Sequence, residues 1–372
     1  MRPVVRDRRG CKMAVTPQAL KGWRVLLLGG TGLIGAHVAR SLQKRGAQLR
    51  VLIRRRSRCD LLEDLSGVEY VTGDLHAPSS LEAAMSGCQM VIHAAAPYPT
   101  RATGAAKQIR RAERSMHNVL EAARRFALPK TLPPPLGAGP PPEGMARLVY
   151  VSSPTTIAPP PAAESGKRAA NEDDVYDTPP NGAPYFIIKE QMERQARAAA
   201  RDHRLPVVIV NPTLVVGAYD AKPTTGQFII AVARRRMPFL LEGNVNVVPG
   251  HDVGEGVVLA GLYGIPGQRY ILGGENMTVA DLTRRIAMAT GVQPPTRTIP
   301  MPVAQAVSWL TEGLALFTPQ RPPLFPMNAL QMLRRSQPLD TSRAVQELGW
   351  RKTPVDDAIL RAVEWLRNEG RF

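Results

Sequence analysis

Tyr185 and Lys189 stand four residues apart in "APYFIIKEQMERQARAAA", a spacing that puts a phenol and an ammonium on one face of a helix. A phenol with a pKa of about 10 is a poor proton donor or acceptor at neutral pH, and a nearby ammonium improves it by favouring the phenolate. Ser153, closing "RLVYVSS", adds a hydroxyl able to hydrogen-bond a carbonyl oxygen. Together these three groups suit proton transfer at a carbonyl, with Tyr185 as acid in reduction and base in oxidation. Such chemistry also moves a hydride, so a carrier for it is required. A YxxxK spacing by itself is more often a surface pair, and its weight depends on what precedes it.

What precedes it is "LLLGGTGLIGAHVARSL", residues 26–42. Gly29, Gly32 and Gly35 are spaced GxxGxxG between an apolar run and a helical pattern. The first permits the tight turn, the second lets a pyrophosphate approach the backbone, and the third allows helix and strand to pack closely. With Thr31, Leu33 and Ile34 they make a dinucleotide cradle at a helix N-terminus, where free N–H groups face phosphates. The adenosine ribose should then meet the end of the second strand. There "VLIRRRSR" places Arg54 and Arg55 where a carboxylate would accept the 2′-hydroxyl, and Arg pairs instead with a 2′-phosphate. NADP(H) is the preferred cofactor and NAD(H) the second choice, although Arg is common throughout the chain. Asp74 and Leu75 in "TGDL" are placed to reach the adenine, and Ala94, Ala95 and Ala96 in "HAAAP" line the middle of the cofactor.

These residues need a scaffold that alternates strands and helices. Strand-like runs fall at 24–29, 49–53, 68–73, 90–95, 147–153 and 206–212, nearly continuous in apolar residues, with helical stretches between most of them. Such runs belong to parallel strands covered on both faces. The expected fold is an α/β doubly wound parallel sheet of the Rossmann kind, with a smaller C-terminal substrate-binding lid. "PKTLPPPLGAGPPPEG", 129–144, is too rich in Pro and Gly for helix or ladder and reads as a surface insertion; 159–174 reads as a second loop. After Asn211 loops such as "VPGHDVGEG", 248–256, alternate with helices at 279–290 and 355–368. The expected divisions are a flexible basic extension at 1–21, the dinucleotide-binding domain mainly at 22–212, and the lid mainly at 213–372 with segments returning to the core. Phe228, Phe239, Trp309 and Phe317 are candidate pocket-wall residues or plain core.

Composition excludes several alternatives. The chain has 372 residues, 44% hydrophobic content and a net charge of +17, with 39 Arg among 48 basic residues spread along its length. A nucleic-acid footprint would cluster on one element, so no nucleic-acid partner is expected. Cys11, Cys59 and Cys88 match neither a disulfide framework nor a zinc site, and a reducing cytoplasm suits them. His251 and Asp252 lack the ligand count of a metal site and are read as structural. No stretch reaches a membrane span; "AQAVSWLTEGLALF", 304–317, contains Glu312. The first twenty residues lack the apolar core of a secretory signal, and Met13 is an alternative start to Met1.

Taken together, "GGTGLIG", "TGDL", "VIHAAA", "NVLEAA", "VYVSS", "YFIIK", "NPTLVVG" and "LDTSRAVQELGW" resemble the extended short-chain dehydrogenase/reductase family over roughly residues 22–370. "NPTLVVGAYD" is similar to the dihydroflavonol reductase-like branch, whose bacterial members are often labelled NAD-dependent epimerase/dehydratase. The resemblance implies that Ser153, Tyr185 and Lys189 take the catalytic positions and that Asn211 and Pro212 lie near the nicotinamide. One departure is Ala112 in "RRAERSMHNVL", where relatives carry an Asn tied to a helix kink or proton relay. The first functional expectation is an NADP-dependent reductase of a ketone or aldehyde. The second is a nucleotide-sugar epimerase or dehydratase that recycles bound NAD, and the third a non-catalytic NADP-sensing protein, against which the intact Ser153, Tyr185 and Lys189 argue. The partner is a small carbonyl or sugar molecule, and a homodimer is compatible with the family.

Overall fold

The computed structural model describes residues 4–6, 12–14, 18–55, 57–96, 104–127, 143–178, 180, 182–221, 225–317 and 327–372. Its centre is built from β1 (Arg24–Leu28), α1 (Leu33–Lys44), β2 (Gln48–Ile53), β3 (Glu69–Thr72), α2 (Pro78–Met85), β4 (Met90–His93), α3 (Ala105–Phe126), β5 (Arg147–Val151), α4 (Pro184–Asp202) and β6 (Val207–Pro212). The strands lie where the apolar runs placed them, to within one or two residues. A further strand from the C-terminal half, Arg269–Leu272, completes a parallel sheet of seven, flanking β6 in the order Arg269–Leu272, β6, β5, β4, β1, β2, β3. The order reverses between β1 and β4, which leaves a crevice at their carboxyl ends, the switch point at which doubly wound sheets bind ligands.

Strand alternation distributes the core to two faces. Val25 and Leu27 pack on one side with α1 residues Val38 and Leu42, whereas Leu26 and Leu28 pack on the other with Met116 and Val119 of α3 and Ile188 of α4. β3 departs from the expectation of strands buried on both faces. It is the sheet edge, and Tyr70 is 40% exposed there.

The C-terminal half adds β7 (Leu214–Val216), α5 (Thr225–Ala233), β8 (Asn244–Pro249), α6 (Gly250–Tyr263), β9 (Arg269–Leu272), β10 (Glu275–Thr278), α7 (Val279–Thr290), α8 (Met301–Phe317), α9 (Met327–Arg334), α10 (Ser342–Leu348) and α11 (Val355–Asn368). A small sheet, β10-β8-β7, and helices α5, α7 and α11 close over a third core containing Val247, Ile286 and Ile359. The helices expected at 279–290 and 355–368 are α7 and α11. By contrast, "VPGHDVGEG" is not a loop: it forms the end of β8 and the start of α6. Its glycines serve close packing, since a Cβ on Gly254 would sit 2.6 Å from the His37 carbonyl carbon of α1.

Two other expectations are revised. Within the extension at 1–21, Val4–Arg6 and Lys12–Ala14 pair antiparallel, and Ala19 and Leu20 are buried, with the Leu20 N–H donating to the Arg45 carbonyl at 3.0 Å. Trp309 is 78% exposed and forms no pocket wall, while Phe228 packs on the third core and the Phe317 side chain lies outside the described residues. Residues 129–142 of the Pro-rich insertion and Cys11 also lie outside them. The insertion's ends meet: Ala127 bridges Met145, and the Met145 N–H donates to the Phe126 carbonyl at 2.9 Å. Among the described residues no helix is long and apolar enough to cross a membrane, and no group of three acidic, His or Cys side chains forms a metal site.

Candidate active site

The glycine turn between β1 and α1 lies at the switch point. Gly29 has a φ of +89°, and a Cβ there would come within 2.7 Å of the Ala95 nitrogen in the segment after β4. A Cβ on Gly35 would collide with the Gly29 carbonyl oxygen, so this glycine lets α1 sit against the turn. A Cβ on Gly32, in contrast, would meet nothing nearer than 3.6 Å. Gly32 caps α1 without a side-chain hydrogen bond, and the first turn holds no acid. Leu33 and Ile34 open the helix, which presents uncapped N–H groups to the crevice. These features fit a dinucleotide pyrophosphate.

Around the cradle stand the other cofactor candidates. Thr31 and Ala94, Ala95 and Ala96 are half-buried; Pro97 lies outside the described residues. Arg54 and Arg55 are exposed just past β2, with the Arg54 backbone N–H donating to Ser57 Oγ at 3.0 Å. The next acid along the chain, Asp60, is held by the guanidinium of Arg58. Asp74 is exposed at the entrance to α2, where its Oδ1 accepts the His76 N–H at 2.8 Å, and the Leu75 carbonyl accepts the Asn118 amide at 3.0 Å.

α4 carries Tyr185 and Lys189. Pro184 occupies its first turn, where a missing N–H costs nothing, and Phe186, Ile188 and Met192 are buried against the sheet. Tyr185, Lys189 and Glu193 follow at four-residue intervals and lead from the half-buried surface inwards. Tyr185 Oη donates to Ser153 Oγ at 3.2 Å. Ser153 Oγ also accepts from the Thr155 N–H at 3.3 Å and lies 3.0 Å from Thr155 Oγ1. Lys189 Nζ donates to the Val151 and Ser152 carbonyls at 3.1 and 3.2 Å, at the end of β5. Burial pushes the Lys189 pKa down to about 8, against the opposing pull of Glu193. At neutral pH it is therefore still mostly an ammonium, but one close to losing its proton.

Asn211 turns away from the open crevice. It is fully buried, and its amide nitrogen lies 3.0 Å from the Ser153 carbonyl and 2.8 Å from Glu193 Oε2. Pro212 follows it at the end of β6. Glu193 in turn receives Arg269 from β9 at 3.2 Å, and Thr156 Oγ1 lies 2.6 Å from its other oxygen. Arg269 spends its remaining donors on the carbonyls of Thr156, Asp174 and Glu172. This buried assembly fixes the loop that carries Ser153.

Sequence reasoning missed Glu193, Thr156, Arg269 and His93. Glu193 had a signal, one helical turn beyond Lys189 on the same face. Arg269 had none, because 76 residues separate it from its partner. His93, at the end of β4, is fully buried; neither ring nitrogen has a hydrogen-bond partner among the described residues, and burial pushes its pKa down to about 3, so the imidazole is neutral. Ala112 is buried in α3, and its carbonyl accepts Ser115 Oγ at 2.8 Å. His251 pairs with Thr353 Oγ1 at 2.9 Å, and Asp252 accepts the Thr353 N–H at 2.7 Å, which gives both a structural place.

Comparison with known proteins agrees with this geometry. A dihydroflavonol 4-reductase-like protein of Synechocystis sp. is 33% identical over 92% of this chain and 94% of the relative. Sterol demethylase protein B of Methylococcus capsulatus is 30% identical over 93% of this chain and 98% of that protein. The structure of a nucleoside-diphosphate-sugar epimerase from Pseudomonas aeruginosa superposes with a TM-score of 0.75 at 29% identity, covering 94% of this chain and 99% of its own. The model of the NAD dependent epimerase/dehydratase family matches residues 25–246. Because that match spans well over half of the chain and takes in both the glycine cradle and the Tyr185–Lys189 helix, the protein belongs to this family, as an NAD(P)-dependent oxidoreductase of the extended short-chain dehydrogenase/reductase type.

Proposed function

We propose that the protein reduces a ketone or aldehyde on a largely apolar substrate, with NADPH as the preferred reductant. The observation that carries this reading is the Tyr185–Ser153 contact at the mouth of the crevice. The cofactor, when bound, supplies the hydride. Tyr185 gives its proton to the carbonyl oxygen, and Ser153, already accepting from Tyr185 and Thr155, donates its own hydrogen to that oxygen. Lys189 holds a positive charge beneath them and stabilises the phenolate left after transfer. Gly29, Thr31, Gly32, Leu33, Ile34 and Gly35 would hold the pyrophosphate, with Asp74 and Leu75 at the adenine and Ala94, Ala95 and Ala96 along the middle. Asn211 and Pro212 would act at the nicotinamide end, Asn211 by holding the Ser153 loop.

Arg54 and Arg55 support NADPH, because they are exposed just past β2, the strand end at which a Rossmann fold meets the adenosine ribose and where Arg pairs with a 2′-phosphate. The name of the Methylococcus relative, which refers to a sterol, supports an apolar substrate. An epimerase or dehydratase reading is favoured by the name of the Pseudomonas structure. The test is to extract any nucleotide that co-purifies and to screen ketones, aldehydes and nucleotide sugars for loss of nicotinamide absorbance. The reductase reading expects exchangeable NADPH and carbonyl turnover; retained NAD with turnover of a nucleotide sugar overturns it.

A further inference from the structure

Helix α8 is divided lengthwise. Ala304 and Ser308 are fully buried, and Met301 and Val307 pack partly into the third core. On the other side Pro302, Val303, Ala306, Trp309 and Leu310 are exposed, Trp309 at 78% and Leu310 at 76%. Their spacing makes one continuous apolar stripe. No charged residue occurs from Thr298 to Thr311. Side chains this large and apolar, contiguous and largely in water, mark a surface meant to be covered.

A positive rim lies on the segments joined to the strand that leads into α8. Leu240–Leu241 pairs with Thr298–Ile299, the strand that leads into α8, and the Leu240 N–H donates to the Arg297 carbonyl at 2.8 Å. Just before that pair, at the end of α5, Arg234, Arg235 and Arg236 are all exposed, as is Arg297. Arg235 lines a shallow hollow of about 450 Å³ with Met237, Pro238 and Pro294. None of the four arginines has an ion-pair partner among the described residues; two acids, Glu242 and Asp281, line a hollow with Thr298, and Asp281 is paired with Arg284.

We propose that α8 and this arginine rim seat the protein on an anionic phospholipid surface. Trp309 and Leu310 would enter the boundary between headgroups and acyl chains while the arginines meet lipid phosphates, the division of labour of interfacial helices. The apolar face is one-sided, which suits lying on a bilayer and not spanning it. Charge decides against a second copy of the chain as the occupant. A molecule of net charge +17 would bring the same positive rim against itself, whereas an anionic surface complements it. The inference concerns the surface alone and does not depend on the reaction catalysed.

Co-sedimentation with vesicles of phosphatidylcholine, alone or with one third phosphatidylglycerol, tests it. The wild-type protein should bind the anionic vesicles at least about tenfold more tightly, less so at high salt. Trp309→Glu with Leu310→Glu should weaken that binding by a further factor of about ten or more. Arg234→Gln, Arg235→Gln and Arg236→Gln should each cost roughly fivefold on anionic vesicles and nothing on neutral ones. The milder Leu310→Gln should give a graded loss, and Trp309→Phe should abolish the blue shift of tryptophan emission on vesicle addition. All these variants should keep their melting temperature and NADPH binding, because none touches the core or the cradle. Absence of wild-type binding, binding indifferent to the α8 variants, or conversion of a dimer into a monomer by Trp309→Glu without any vesicle binding would each overturn the proposal.

Discussion

At the scale of single residues the proposed chemistry rests on Tyr185 and on the charge state of Lys189. Tyr185→Phe keeps the ring but removes its hydrogen bond to Ser153, so NADPH binding should persist while turnover of a carbonyl substrate falls by roughly two to four orders of magnitude. Lys189→Met should impair both, and a variant pair that turns over normally would end the proposed mechanism. The buried ammonium also predicts a pH dependence. Its pKa lies near 8, below the usual lysine value, because burial penalises the charged form. The protonated state is thus lost as pH rises through about 8, and kcat/KM for reduction should fall across that range. The same shift acts on stability with the opposite sense. Between about 8 and the ordinary lysine value the unfolded chain binds the proton that the folded chain has released, so the apoprotein should gain stability with rising pH there. Rate profiles and chemical denaturation over the same buffers measure the two separately.

The elements decide where those residues stand. β1 and α1 meet only because Gly35 lacks a Cβ that would strike the Gly29 carbonyl. Gly35→Ala should therefore lower stability by about 1–3 kcal/mol through overpacking and weaken NADPH binding more than it weakens the fold; titration and thermal melting distinguish the two effects. Arg54→Ala with Arg55→Ala acts at the end of β2 and should weaken NADPH by about 1.5–3 kcal/mol while sparing NADH, as loss of a charge-assisted phosphate contact would. Equal affinity of the unmutated protein for both cofactors would remove the argument for NADPH. α3 and β5 are already joined by the Ala127–Met145 bridge. Replacing 129–142 by a short Gly-Ser link should accordingly move the melting temperature by only a few degrees, since loop length adds little closure entropy.

In the whole molecule the C-terminal half completes the catalytic half. β9 delivers Arg269 to Glu193 beneath the Ser153 loop, a pair with 4% and 2% side-chain exposure. Arg269→Met leaves an uncompensated carboxylate and should cost about 3–5 kcal/mol. Arg269→Met with Glu193→Gln should recover much of that loss, because a buried neutral pair needs no counter-charge; urea unfolding of the single and double variants measures the coupling. If the double variant folds but still turns over slowly, the pair also positions Ser153.

Much of this was legible in the chain itself. The β1–α1 turn, six strands of the central sheet, helices α7 and α11 and the Ser153–Tyr185–Lys189 set all follow from short-range patterns, because period, glycine spacing and an i, i+4 pair are properties of neighbouring residues. What the sequence left open depends on partners far apart in it. Whether Gly250 to Gly256 make a loop or a helix turned on the backbone of His37. Whether Trp309 is core or surface turned on which side of α8 the third core took. Asn211 read as a group facing the cofactor, yet its amide reaches Ser153 and Glu193 because β5, α4 and β6 converge there. The sequence by itself determined that a glycine turn joins β1 to α1 and that Tyr185 and Lys189 share one face of a helix, since those are properties of neighbouring residues. Only the tertiary structure decided the charge state of Lys189 and the ion pair that holds the site, since burial and a partner 76 residues away exist only once the chain has closed on itself.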